Sequence, residues 1–128
     1  MTTLSMTLAR CLAALAVISL VSLPILAASD ELKPVSPKHI CFINKTRFDR
    51  TLKSVVVDGK TYYACCDDCV AKLKEDPEAR VAIDPVSGKE VDKAAAVIGV
   101  DKNGKVYFFE NRENMKRFRA PSDLPTGN

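Results

Sequence analysis

Gly59-Lys60-Thr61-Tyr62-Tyr63-Ala64-Cys65-Cys66-Asp67-Asp68-Cys69 is the stretch on which the fold turns. Just before it, Val55-Val56-Val57 and the pair Asp58-Gly59 complete a hairpin pattern. An apolar run, a turn pair that tolerates positive φ, and an aromatic run follow one another. Beyond it, Asp67 to Glu75 reads as a short helix. Val70 and Leu73 share one face, Lys72 and Lys74 the other, and Pro77 blocks continuation. Three cysteines crowd the strand-to-helix junction. Upstream, His39-Ile40-Cys41-Phe42 reads as a tight knuckle that a folded hairpin can bring beside that junction.

The same order recurs further along. Asp84-Pro85-Val86-Ser87-Gly88 supplies a knuckle, and the runs Ala95 to Val100 and Val106 to Phe109 flank Lys102-Asn103-Gly104. Asn111 to Arg119 reads as a helix with Asn111 as N-cap, Met115 and Phe118 on its apolar face, and a stop before Pro121. Gly59-Lys60-x-Tyr62 matches Gly104-Lys105-x-Tyr107 at the same point. The expectation is an α+β fold of two tandem knuckle–β-hairpin–helix units, treble-clef or zinc-ribbon-like, over residues 38–83 and 84–120. A unit of about 40 residues buries too little surface to stand alone without a metal, disulfides or a partner. The two are therefore expected to pack together, with Tyr62, Tyr63, Leu73, Tyr107, Phe108 and Phe118 as core candidates.

Residues 1–28 read as a secretory signal. Met1 and Arg10 precede an apolar run from Cys11 to Leu23, and Pro24 leads to the small residues Ala27-Ala28-Ser29. The run approaches the roughly 18 residues of a membrane helix, so an uncleaved anchor is the alternative. Residues 29–37, with Pro34 and Pro37, read as a linker, and 121–128 as a flexible tail. An exported protein is expected, periplasmic or secreted, meeting a membrane only through the N-terminal segment if that is kept. The 128 residues carry a net charge of +3 and no Trp, which gives nucleic acid neither a basic patch nor a stacking platform.

Cysteine is the informative residue type. Of five in the chain, four lie between positions 41 and 69. Thiolates bind soft ions, and the exposed N–H groups of a helix start favour the thiolate, although Asp67 and Asp68 work against it. Cys65 and Cys66 are neighbours whose side chains point apart, so Cys41, Cys65 and Cys69 suit one ion better, with Cys66 as an alternate or exchange ligand. Three thiolates suit Cu(I) or another thiophilic ion; Zn(II) usually takes a fourth ligand, for which His39 is available. One ion per chain is expected. The competing readings are a structural zinc site in a protein-interaction module, a thiol redox protein using Cys66 and Cys69, and plain disulfides in an oxidising compartment. With one histidine and no Ser-His-Asp or Cys-His pattern, no catalytic activity is expected.

These residues resemble the TRASH/YHS group of small metal-binding domains. Those domains carry a cysteine on a knuckle, then an aromatic pair followed by Cys-x3-Cys at a helix start, and Cys41, Cys65 and Cys69 fall on those places. Asp84-Pro85-Val86-Ser87-Gly88 resembles the YHS opening Asp-Pro-Val-Cys-Gly, and Gly104-Lys105-Val106-Tyr107-Phe108 its aromatic strand. In that comparison Ser87, Glu110 and Asn114 stand where the family has thiolates, which implies that the second unit has lost soft-metal binding. The resemblance implies heavy-metal trafficking, sensing or resistance, often of copper, with a metal transporter or another exported metalloprotein as partner. It implies binding, not turnover.

Overall fold

Asp58 and Gly59 both take positive φ, 51° and 75°, as a two-residue hairpin turn requires. They join β4 (Lys53–Val57) to β5 (Lys60–Ala64) in antiparallel register, Val57 opposite Lys60 and Lys53 opposite Ala64. The computed structural model describes residues 31–121. The expected signal segment and nearly all of the tail lie outside these residues. Among the described residues no helix is long and apolar enough to cross a membrane.

The fold is mixed α and β, with small antiparallel sheets and two short helices. Before the hairpin, β2 (Ile40–Cys41) pairs with β3 (Thr46–Arg47), closing the knuckle. After it, α1 spans Asp67–Glu75 as the sequence predicts, with Leu73 fully buried beneath it. The order of strand pair, hairpin and helix then appears again. Strands β6 (Val81–Ile83) and β7 (Glu90–Asp92) pair, β8 (Val97–Val100) pairs with β9 (Val106–Phe109), and α2 covers Arg112–Arg117. Asn111 caps α2 by accepting the Asn114 N–H at 2.8 Å. The helix is shorter than predicted, because Phe118 is already extended at φ −67°, ψ 138°.

The second hairpin turns differently from the first. Only Gly104 takes positive φ, at 84°. Opposing Val100 to Val106 leaves five residues between them, and Asp101 closes this wider loop. Its carboxylate accepts the Asn103 and Lys105 N–H groups, both at 2.9 Å.

One apolar core spans both halves. Ile40, Phe42, Val55, Tyr62, Ala64 and Leu73 meet Ile98, Val100, Val106 and Phe108. Phe42 is its hub, meeting Tyr62, Tyr63 and Phe108 edge-on at 6.2, 5.9 and 5.7 Å between ring centres. Of the core candidates, Tyr62, Leu73 and Phe108 are buried, while Tyr63, Tyr107 and Phe118 are half-buried. Asp92 reinforces the seam from the polar side, accepting from Lys60 Nζ at 2.6 Å and Tyr62 Oη at 3.0 Å. Burial, and then the Asp92 carboxylate, push the Tyr62 hydroxyl up to about 12.

Residues 29–37, read as a linker, hold a strand. Here β1 (Lys33–Pro34) pairs with β8, making the sheet order β1-β8-β9. Pro34 is tolerated because β1 is an edge, where a missing N–H costs nothing. The anchor is Leu32, 4% exposed, which packs with Phe109 and Met115 in a second apolar cluster. It lies over Gly99, where any Cβ would meet Leu32 Cδ1 at 2.9 Å. Leu32→Ala is therefore expected to cost about 2–3 kcal/mol in urea denaturation, as for any large-to-small change in a packed cluster. A linker leucine would cost almost nothing.

Candidate metal centre

Cys41 ends β2 and is fully buried. Cys65 follows β5, and Cys69 sits in the first turn of α1, both half-buried. The fold brings these three side chains together, every Sγ within 4.8 Å of the other two. The Cys65 and Cys69 sulfurs are 3.8 Å apart. Thiolates at zinc-like bond lengths of about 2.3 Å around a tetrahedral ion are separated by about 3.8 Å, so the spacing fits one ion. Asn44 adds an Nδ2–H donated to Cys65 Sγ at 3.6 Å.

The other two predicted ligands are not part of this mutually close trio. Cys66 is exposed, its Sγ 3.2 Å from that of Cys69. His39 directs Nδ1 to the Arg50 carbonyl, 3.1 Å away. None of the four described thiols is in a disulfide.

The thiols are not electrostatically alike. Burial disfavours the Cys41 thiolate, but the backbone N–H groups of Asn44, Ile43 and Cys65 outweigh it and hold the group below the usual thiol range. Burial, and then the neighbouring thiols, push Cys65 and Cys69 up. At exposed Cys66 the Cys69 N–H and thiol prevail over the opposing Asp68 charge, so its pKa is lowered. Of the three cluster thiols Cys41 is therefore the most readily ionised, and binding of a cation would require the other two to give up their protons.

The second half answers the same geometric problem without sulfur. Asp84 is fully buried at the end of β6. Its carboxylate accepts the N–H groups of Val86 at 2.7 Å and Ser87 at 3.2 Å. It also accepts the Glu110 N–H and Asn114 Nδ2–H, each at 2.8 Å. Residues two and three ahead and the strand-to-helix junction are the donors, as for Cys41. Both knuckles also close with an N–H bonded four residues back, Lys45 to Cys41 and Gly88 to Asp84, at 2.9 and 2.8 Å. Lys45 and Gly88 are the positive-φ residues of the two turns, at 54° and 70°.

Asp84 therefore stands where Cys41 does, and Ser87 falls at the place of Asn44. Ser87 contributes its backbone N–H to the Asp84 carboxylate. Glu110 and Asn114 meet Asp84 from the second hairpin end and helix, much as Cys65 and Cys69 meet Cys41 in the first half. Glu110 lies 26 positions after Asp84, against 24 from Cys41 to Cys65. From each knuckle residue to its positive-φ residue the spacing is the same, four positions.

A second buried charge adjoins the cluster. Lys93 is 4% exposed and donates from Nζ to the carbonyls of Phe42 and Ala79, both at 2.8 Å. Burial, and then the Lys45 charge, push its ammonium down to about 8, while Cys41 pulls the other way.

Comparison of the chain with known protein families, with curated proteins and with solved structures gave no match.

The Asp84 clasp has a pH signature. Burial raises its pKa, but the four hydrogen bonds together hold it below the ordinary 3.8. A carboxyl depressed in the folded state stabilises the fold above its unfolded pKa, and that contribution is lost as pH falls through the folded value. Asp92, also depressed, acts in the same sense. Stability in urea should hold from pH 7 to about 5 and decline below about 4. Asp84→Asn should cost about 2 kcal/mol at neutral pH and flatten part of the acid decline.

Proposed function

We propose that this chain is an exported metal-binding protein that takes one thiophilic ion, Cu(I) or Zn(II), on Cys41, Cys65 and Cys69. The carrying observation is the convergence of three sulfurs within 4.8 Å of one another from the knuckle, the hairpin end and the helix start. In this reading the halves are tandem units of one TRASH/YHS-like type. The first keeps its ion, and in the second Asp84 and Asn114 close the same junction by hydrogen bonding.

The role is that of a chaperone or scavenger rather than an enzyme. Cys41 is inaccessible, so exchange runs through the open side, where exposed Cys66 lies 3.2 Å from Cys69. A metal transporter or another exported metalloprotein presenting thiols is the fitting partner. A closed structural zinc site has less support, because His39 is bonded to the Arg50 backbone. The thiol redox reading does have an observation of its own, the same 3.2 Å approach of Cys66 and Cys69.

Anaerobic titration of the reduced full chain separates the readings. Saturation is expected at one ion per chain. Cys41→Ser, Cys65→Ser and Cys69→Ser should each weaken binding by about a hundredfold or more. Cys66→Ser should bind nearly as well but release its ion more slowly to a thiol chelator. Binding that ignores Cys41→Ser would rule out the shared centre. Disulfide exchange that needs only Cys66 and Cys69 would move the assignment to redox chemistry.

A further inference from the structure

Lys93 is a buried cation whose close partners among the described residues are neutral. Nζ is held by two carbonyl oxygens and lies 5.6 Å from the centre of the Phe108 ring. No carboxylate forms an ion pair with it among the described residues. Its charged surroundings are Lys45 and Lys72, which repel it, and Asp76 and Cys41, which attract it. A buried ammonium without a counter-charge is costly, and carbonyl dipoles repay only part of that cost. One of those carbonyls belongs to Phe42, the residue next to Cys41.

We propose that Lys93 is the charge partner of the metal centre and biases it toward a monovalent ion. The inference rests on the three-thiolate reading above. Three thiolates around a monovalent ion leave two net negative charges, whereas around a divalent ion they leave one. Both complexes are attracted to the fixed ammonium, the monovalent one about twice as strongly. No other described residue combines burial, a positive charge and a bond to the metal-binding knuckle. Lys93 touches no ligand sulfur in this assignment; it is a positioning and charge-compensating residue.

Competition titrations of the full chain with chromophoric chelators, for Cu(I) and Zn(II) separately, test this. Lys93→Met should weaken Cu(I) binding roughly tenfold more than Zn(II) binding, as expected for removing one charge at intermediate dielectric. Lys93→Arg, which keeps charge and donors, should retain the wild-type ratio of the two affinities. Equal losses for both ions in Lys93→Met, or no loss for either, would overturn the proposal and leave Lys93 a packing residue. Should Lys93→Met fail to fold, the Lys93 Nζ resonance of the wild-type chain serves instead. It should shift further on Cu(I) loading than on Zn(II) loading, and equal shifts would overturn the proposal. A wild-type chain that binds neither ion would refute the function proposed above rather than this residue's part in it.

Discussion

Each half of this protein must hold a knuckle, a hairpin end and a helix start at one point, and apolar packing alone cannot do it. The elements are short: strand pairs of two or three residues, hairpins of four or five, helices of nine and six. Something polar must occupy the place where they converge. In the second half a single carboxylate does so, with four N–H donors drawn from three directions. In the first half the corresponding point is filled by sulfur, a weak hydrogen-bond acceptor but a strong ligand. The rest of the molecule is arranged around these two junctions.

The halves are joined where the first junction is supported. Phe42 follows Cys41 directly, and its ring meets aromatics from both hairpins while its carbonyl receives the Lys93 ammonium. Displacement of the knuckle would thus be felt by the shared core, by Lys93 and by β7 just before it. On the other side, Asp92 draws Lys60 and Tyr62 of the first hairpin to the second half. Coupling between the cluster and the second half is built from adjacent residues, Cys41 with Phe42 and Asp92 with Lys93.

What could be read in advance follows from the range of the interaction responsible. The Asp58-Gly59 turn, the limits of α1, the Asn111 cap and the gathering of Cys41, Cys65 and Cys69 were all legible, because each depends on neighbours in sequence or on one hairpin closure. The pairing of β1 was not, since Pro34 and Pro37 suppress a strand reading and only distant Gly99 makes room for Leu32. The buried role of Asp84 was not legible either, because it depends on donors from a distant hairpin and helix. Nothing local marks Lys93 as buried: it stands between Asp92 and a run of alanines in a sequence where lysine is common.

The strand order β1-β8-β9 also governs how the molecule can be divided. The sheet of the second half takes its edge from residues that precede the first half, and β6 lies immediately after the turn that ends the first half. The two halves are consequently interleaved along the chain, although they share one core. A cut at the apparent boundary would strip β1 and β6 from their partners, exposing a raw sheet edge and the apolar seat of Leu32. Neither half could be transplanted as a module, and any rearrangement that moved one would have to carry the N-terminal strand with it.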